Sequence, residues 1–433
     1  MPGFRERVWD NKRTLTDMYN LQLSAEQQEI RDTVRDFVVR EIKPVALHPD
    51  RLQAEDPHFP LEILDQASQM GLRTLALSEA LGGAGADHLT SCVVAEELAA
   101  GDVGFATTLA QTSALGHLLF DVAMTPAQRE RFLPQYLKDD RYHLAYAGQE
   151  SDPDGGGWNY HRPQVAEISV PVTAVRQGSG DWVINGVHPF VANAPLAKLF
   201  AVQAKTDPKA SGMNGVSILL VPRDTPGITV REPAKVDVDA TGAQVYRWFH
   251  GTGGEVTFKD CKVPGANLLG AQGQGCLFGE AVAAGRGNPL VQALNLGVGR
   301  AAYEAAVDYA KLRIQGGRPI IQHQAIGTIL AEIAIRLEVA RNIVWKAAWA
   351  ADHAEDYAGV TDLPLQTVAK AYTSAAVHEA ALLAAECFGA MGVMKDMPLQ
   401  KYVHDALVFV HAETSNSTAK LQIAEAVAGY RRP

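Results

Sequence analysis

The sequence predicts an α+β chain in three parts: an N-terminal all-α domain over 1–150, a middle antiparallel β-domain over 151–268 and a C-terminal helical bundle over 269–433. Two observations carry this reading. Apolar residues recur at helical spacing in the first and last parts. Between them glycine, proline and β-branched residues rise, and short apolar runs follow one another with no helical pattern in between.

Ser24 and Gln27 form a predicted capping box, after which Ile30, Val34, Phe37, Val38 and Ile42 fall on one helical face. Pro44 is expected to end that helix or to lie just beyond its end. A second helical run begins near Leu61. It meets the glycine-rich turn LGGAGADHLT, and the next helix, through Val93, Leu98 and Ala99, is rich in small residues. Strands are predicted at EISVPVTAV, DWVING, KLFAVQA, VSILLVP and EVTFKDCKV, with Asn185-Gly186 as a hairpin turn because both residues tolerate positive φ. In the third part Ile326, Ile329, Leu330, Ile333, Leu337 and Val344 form one apolar stripe, and Pro364 suits a first helical position. Long helices with short links predict a bundle.

The net charge of -10, from 39 Lys+Arg against 49 Asp+Glu, argues against a nucleic-acid partner, which needs a basic footprint. Cys92, Cys261, Cys276 and Cys387 are scattered, so neither a disulfide framework nor a metal site is expected. The N-terminal run has no apolar core of a secretion signal, and no uninterrupted apolar run reaches the roughly 18 residues of a membrane span. The expectation is a cytoplasmic protein with no membrane partner.

Six runs then carry a resemblance by their order and spacing: YHLAYAGQESD, GDWVINGVHPFVAN, EVTFKDCKVPGANLLG, YAKLRIQGGRPIIQHQA, AAECFGAMGVMKDMPLQKYVHDA and AETSNS. From about Leu23 to Tyr430 the chain resembles the acyl-CoA dehydrogenase family. The resemblance implies a helical domain, a β-domain and a four-helix bundle, with FAD between the last two. It also implies an acyl-CoA substrate and an electron-transfer flavoprotein or similar acceptor. The assembly it implies is a homotetramer arranged as a dimer of dimers. The chemistry is removal of the proton alpha to the thioester carbonyl by a carboxylate while a hydride leaves the beta carbon. Such chemistry needs a positioned base and a cofactor to accept the hydride.

Carried over residue by residue, the resemblance makes Glu413 of AETSNS the base, although a glutamate near a helix start is by itself also a favourable helix-dipole charge. Tyr146, Gly148, Gln149, Phe190, Ala192, Arg313, Gln324, Glu386, Gly389, Ala390, Ser415 and Ser417 fall at cofactor positions, with Arg313 reaching in from a neighbouring subunit. Gly389 with Gly392 also suits a helix C-cap, and Ser415 a plain N-cap. Arg286 matches an arginine near the acyl end of the pocket, and Ala106 stands where glutaryl-CoA dehydrogenases carry an arginine. Asp405 is expected to be structural, and His404 and His411 to be packed or exposed side chains.

The chain departs from the family pattern at several of these places. Gln149 and Gly155 replace threonine and serine, Phe190 and Ala192 replace tryptophan and threonine, and Gly316 replaces an aromatic. Glu386 and Ala390 replace glutamine and glycine, and Ala412 and Thr414 flank the base where an aromatic and a glycine are usual. These changes point to a substrate other than a plain straight chain, a cyclic or aromatic acyl-CoA of a catabolic pathway. The alternatives on the same fold are a flavin monooxygenase, a CoA-ester lyase and a flavin-free partner subunit.

Overall fold

The computed structural model describes residues 21–48, 60–148, 170–210, 215–232, 236–238, 244–246, 250–275, 278, 289–353, 363–412 and 415–429. Ser24 opens the first helix, α1 (Ala25–Phe37), with the reciprocal capping box expected of it. Gln27 N donates to Ser24 Oγ at 3.1 Å, and Ser24 N to Gln27 Oε1 at 3.0 Å. Val34, Phe37, Val38 and Ile42 are all buried. Pro44 does not end this helix. A π turn over Val38–Ile42 carries the chain into a further helical turn at Lys43–Ala46. Lys43 N bonds back to Val38 O, five residues away, and this wider turn relieves the clash a proline makes in a regular helix.

The helices α2 (Leu61–Gln69), α3 (His88–Ala99), α4 (Val103–Gly116) and α5 (Pro126–Lys138) follow. Asp87, Asp102 and Thr125 cap the last three, each side chain accepting from a first-turn backbone N–H.

The sheet comprises β1 (His143–Ala147), β2 (Val172–Arg176), β3 (Trp182–Ala192), β4 (Ala197–Lys205), β5 (Val216–Pro222), β6 (Ile228–Arg231), β9 (Gly253–Val263) and β10 (Leu268–Leu269). Its order is β10-β5-β4-β2-β3-β9-β6, with β1 paired to β4, while β7 (Val236–Val238) and β8 (Gln244–Tyr246) form a separate hairpin. Two expectations are corrected here. The sheet is mixed, because β1 runs parallel to β4, and β1 comes from upstream of residue 150. All five residues of β1 are buried, as a strand covered on both faces requires.

Asn185-Gly186 is not a turn. It lies inside β3 at a register shift against β9, and the turn before β3 sits at Gln177–Asp181, where Gly180 has φ 89°. Gly186 is a bulge residue with φ 130°, and a Cβ there would meet Pro171 O at 2.3 Å. Asn185 serves the bulge instead, its Oδ1 accepting from Asp260 N at 2.8 Å.

The C-terminal part holds α6 (Leu290–Leu312), the small hairpin β11 (Ile314–Gln315) and β12 (Arg318–Pro319), then α7 (Gln324–Asp352), α8 (Leu365–Phe388), α9 (Leu399–His411) and α10 (Asn416–Ala428). Pro364 is the N-cap of α8, one residue before the expected place. The α7 stripe is buried at Leu330, Ile333, Leu337 and Val344 and half-buried at Ile326 and Ile329. The helix α8 is long and apolar enough to cross a membrane, yet it is the central helix of the bundle, packed against α6, α7, α9 and α10. It runs parallel to α6. A Cβ on Gly299 would lie 3.1 Å from Val377, and ten residues further along α6 the Tyr309 ring stacks on Phe388 at 4.1 Å.

The first and third parts of the chain share one core, which runs from Val34 through Leu98 to Phe409. Buried Glu97 joins them electrostatically, accepting from Arg35 of α1 at 2.7 Å and from Arg300 of α6 at 2.6 Å. The sheet has an apolar layer on each face, and one layer packs against Leu115, Leu119, Phe120 and Tyr136 of the N-terminal helices.

Candidate active site

Three parts of the fold meet around the start of α4. Asn193, at the end of β3, adopts a left-handed conformation with φ 61° and is buried. Its Nδ2 donates to Thr108 O at 3.0 Å and to Thr112 Oγ1 at 3.2 Å, so the strand end is pinned to α4. Gly251, with φ 74°, packs on Gly104, where a Cβ would come within 3.1 Å of Gly251 N. Next to it, His250 places its ring 4.5 Å from Phe409 of α9.

The same junction buries charge. Lys401 Nζ lies 2.6 Å from Asp405 Oδ2 and 3.4 Å from Asp102 Oδ2, the cap of α4. Burial alone would lower the lysine, but Asp405 and Asp102 outweigh it and the ammonium is raised above its ordinary value. His250 Nε2 is 3.7 Å from Asp405 Oδ1. Burial lowers its pKa more than Asp405 raises it, so the ring is neutral near pH 7 and that approach is not an ion pair. Asp405 thus pairs with Lys401 of its own helix, and Lys401 in turn ties α9 to Asp102 at the start of α4.

Further along α4 the same helix walls a cavity of about 360 Å³. Leu98 of α3, Leu109, Ala110 and Ala114 of α4, Leu75 and Leu290 contribute apolar surface. Gln111 and Ser113 add polar atoms, and Asp352 holds the α3 end by accepting from His88 Nδ1 at 2.6 Å. No lysine or arginine among the described residues lines it. Thr112 and Ser113 are neighbours on α4, one bonded at the junction and the other lining the cavity, so α4 borders both features.

The residues expected from the sequence separate into two groups. Phe190 and Ala192 are on β3 beside the junction, Tyr146 and Gly148 end β1, and Ser415 caps α10 immediately after α9. Ser415 Oγ accepts from Thr418 N at 3.2 Å, and Ser417 is exposed. Arg313, Gln324, Glu386, Gly389 and Ala390 are all exposed and gather at the other end of the bundle, where α6 and α8 stop and α7 begins. From Lys370 to Gly389 is nineteen residues of α8, roughly 28 Å at about 1.5 Å per residue. Gly389 is the C-cap of α8 with φ 57°, so the capping reading is met structurally. Glu413, Gln149, Gly155 and Arg286 lie outside the described residues. His404 and His411 are exposed on α9, and Ala106 is buried.

Phe190 is 47% exposed, unusual for a strand aromatic, and its ring covers Gly253, where a Cβ would meet Cζ at 2.3 Å. Close by in the chain, Asn193 Oδ1 and Thr252 Oγ1 are buried and meet no hydrogen-bond partner among the described residues. A half-exposed aromatic ring with two buried polar atoms nearby fits a planar heteroaromatic ligand that hydrogen-bonds at its edge. Sequence reading missed Asn193, Lys401 and Asp102. It also missed Lys370, a buried amine in the largely apolar run VAKAYTSAAV, where a lone charge was the available signal.

Comparison with known proteins agrees with this architecture. Residues 24–140 match the profile described as Acyl-CoA dehydrogenase, N-terminal domain, 161–247 the middle domain and 281–428 the C-terminal domain. The chain is 30% identical over 414 residues to an acyl-CoA dehydrogenase of Bacillus subtilis (strain 168), covering 94% of this chain and 100% of the relative. It is similar to the structure of butyryl-CoA dehydrogenase from Megasphaera elsdenii, with a TM-score of 0.78 at 25% identity, covering 95% of this chain and 100% of the other. A glutaryl-coenzyme A dehydrogenase in complex with glutaryl-CoA gives a TM-score of 0.77 at 26% identity over 96% of this chain and 98% of the other.

Proposed function

Because this chain belongs to the acyl-CoA dehydrogenase family and is an FAD-dependent oxidoreductase, we propose that it oxidises an uncharged, bulky acyl-CoA to the 2-enoyl-CoA, with Glu413 as base. FAD, when bound, supplies the acceptor for the hydride that leaves the beta carbon. Phe190 would lie against its ring system, and Asn193 and Thr252 would offer it their buried polar atoms. The Glu413 carboxylate takes the alpha proton, and the two electrons of that C–H bond become the new alpha–beta double bond. Water excluded by the buried junction of α4, α9 and residues 250–252 keeps the base effective. Retention of Glu413 favours dehydrogenation over a base-free CoA-ester lyase.

One observation carries the substrate class. The cavity shares α4 with the junction, is walled largely by leucine and alanine with His88 paired to Asp352 at one side, and has no described lysine or arginine to meet a distal carboxylate. Its volume of about 360 Å³ lies within the range of small-ligand sites, ~300–1,000 Å³. Ala95, Ala110 and Ala114 leave width there, which supports a cyclic or aromatic acyl group. The split of the cofactor residues supports an assembly in which a second copy brings Arg313, Gln324, Glu386, Gly389 and Ala390 to the flavin. That arrangement needs at least a dimer and accords with a homotetramer. An electron-transfer flavoprotein or similar acceptor would take up the electrons removed from the substrate.

The test is anaerobic bleaching of the flavin absorption by a panel of esters. Cyclohexanecarbonyl-CoA or 3-phenylpropionyl-CoA is expected to bleach the protein faster than butyryl-CoA, and glutaryl-CoA slowest. Fastest bleaching by glutaryl-CoA would overturn the cavity assignment. If no ester bleaches the flavin, the dehydrogenase reading itself fails.

A further inference from the structure

The buried amine of Lys370 has no place in the chemistry just described, yet its surroundings are specific. It sits on the second turn of α8, is 4% exposed, and points its Nζ at two helix ends at once. On one side it donates to Phe409 O at 2.7 Å and approaches Val410 O at 3.4 Å. These carbonyls belong to the last turn of α9, where backbone acceptors have no partner within the helix and where the dipole favours a cation. On the other side it donates to Asn416 Oδ1 at 3.0 Å, and Asn416 is the first residue of α10. One turn along α8, Ser374 Oγ lies 2.7 Å from the same Asn416 Oδ1 and 2.7 Å from Lys370 O. Ser374 is fully buried.

The chain between these two anchored ends runs from His411 to Ser415, with Glu413 at its centre. Each end carries its own local stop. Ala412 N bonds to Val408 O at 2.7 Å, and Ser415 Oγ caps α10. Those local bonds end each helix but do not relate one helix to the other. The Lys370 ammonium does, because it is shared between them. A charge-assisted bond to each end fixes the separation of the two helix ends that flank Glu413 in the chain.

We propose that Lys370, with Ser374 and Asn416, is the positioning clamp for the catalytic base: it sets the separation of the α9 and α10 ends and thereby the placement of Glu413. This rests on Glu413 being the base. Loss of the clamp leaves the core, the cavity and the Phe190 region in place and frees the α9 and α10 ends from one another. Misplacement of a reacting group by about 1 Å can cost about 10²-fold in rate.

The experiment is alpha-proton exchange of 3-phenylpropionyl-CoA and butyryl-CoA in D₂O, followed by mass spectrometry on FAD-loaded protein. Flavin content, ester dissociation constant and melting temperature are measured alongside. Lys370→Met is expected to slow exchange at saturating ester by about 10- to 10²-fold while flavin content and ester affinity stay within about twofold, and Lys370→Arg is expected to recover part of the rate. Should Lys370→Met fail to fold, Asn416→Ala removes the acceptor on α10 alone and is expected to give a smaller loss of the same kind. Wild-type exchange in whichever variant folds, alongside loss of exchange in Glu413→Gln, overturns the clamp. Wild-type exchange in Glu413→Gln overturns the base assignment instead, so the two failures are distinguishable.

Discussion

At its N-terminal end α8 buries Lys370 and Ser374 against the junction of α9 and α10, whereas nineteen residues on, Gly389 and Ala390 lie exposed where Arg313 ends α6. Both ends carry residues the family pattern assigns to one cofactor. The difference in burial separates two kinds of site construction. The first end is completed within one chain, where α9 carbonyls and Asn416 hold Lys370, and nearer the start of α9 Asp102 and Asp405 hold Lys401. At the second, Arg313, Gly389 and Ala390 are exposed, which suits the proposed half-site completed by another copy.

The largest expected contrast comes from the chemistry at the first end. Glu413→Gln should slow anaerobic flavin bleaching by on the order of 10²–10⁴-fold, with flavin content unchanged. Bleaching at the wild-type rate would remove the base from this end of the bundle.

Next is the buried charge beneath it. Lys401→Met leaves Asp102 and Asp405 facing each other without their cation, and should cost about 3–5 kcal/mol in denaturant unfolding. Lys395→Met, on the exposed turn after Gly389, should cost little, because surface charges contribute ~0–1 kcal/mol. Equal losses at the two ends would dissolve the contrast.

The half-site is tested by mixing. Arg313→Ala should weaken FAD retention by about tenfold or more, the scale of a bond to a charged group. Random co-assembly of Arg313→Ala with Glu413→Gln chains should restore activity to about a quarter of wild type, since half the pairs are mixed and one of the two sites in each mixed pair has both residues intact. No restoration in mixed oligomers would place Arg313 and Glu413 at the same in-chain site.

The smallest effect is the pH response of the junction. Burial holds His250 neutral, its pKa lowered from 6.5, so the unfolded chain binds a proton that the folded chain refuses. Stability from this group is full above the unfolded value and falls as pH drops below about 6.5 toward the folded pKa. His250→Gln should flatten the acid side of the melting-temperature profile below pH 6.5, and an unchanged slope would show that His250 is not the group responsible.

Much of the fold was legible locally. The Ser24–Gln27 box, the buried faces of α1 and α7, and all five predicted strands depend on neighbours within one or two turns, and periodicity reports such neighbours. The misreadings had non-local causes. Gly186 resembled a turn residue because positive φ serves a bulge as well as a hairpin, and the choice was made by Pro171 and Asp260 across the sheet. Pro44 resembled a stop because a π turn five residues wide leaves no mark on composition. At the candidate site, the family spacing named the residues expected to hold the cofactor. It was silent on Lys370, Lys401 and Asn193, whose partners lie 39, 299 and 85 residues away in the chain.

The sequence by itself determined the order of helical and β segments, the caps, and the family to which their spacing belongs, because each follows from residue chemistry repeated at short range. Only the tertiary structure decided that the first and last helical parts share one core, that β1 joins the sheet in parallel, and that the residues proposed for the cofactor split between two ends of α8. The physical reason is that a buried amine or an exposed arginine acquires its role from what lies across the packed interface, and no periodicity along the chain encodes that distance.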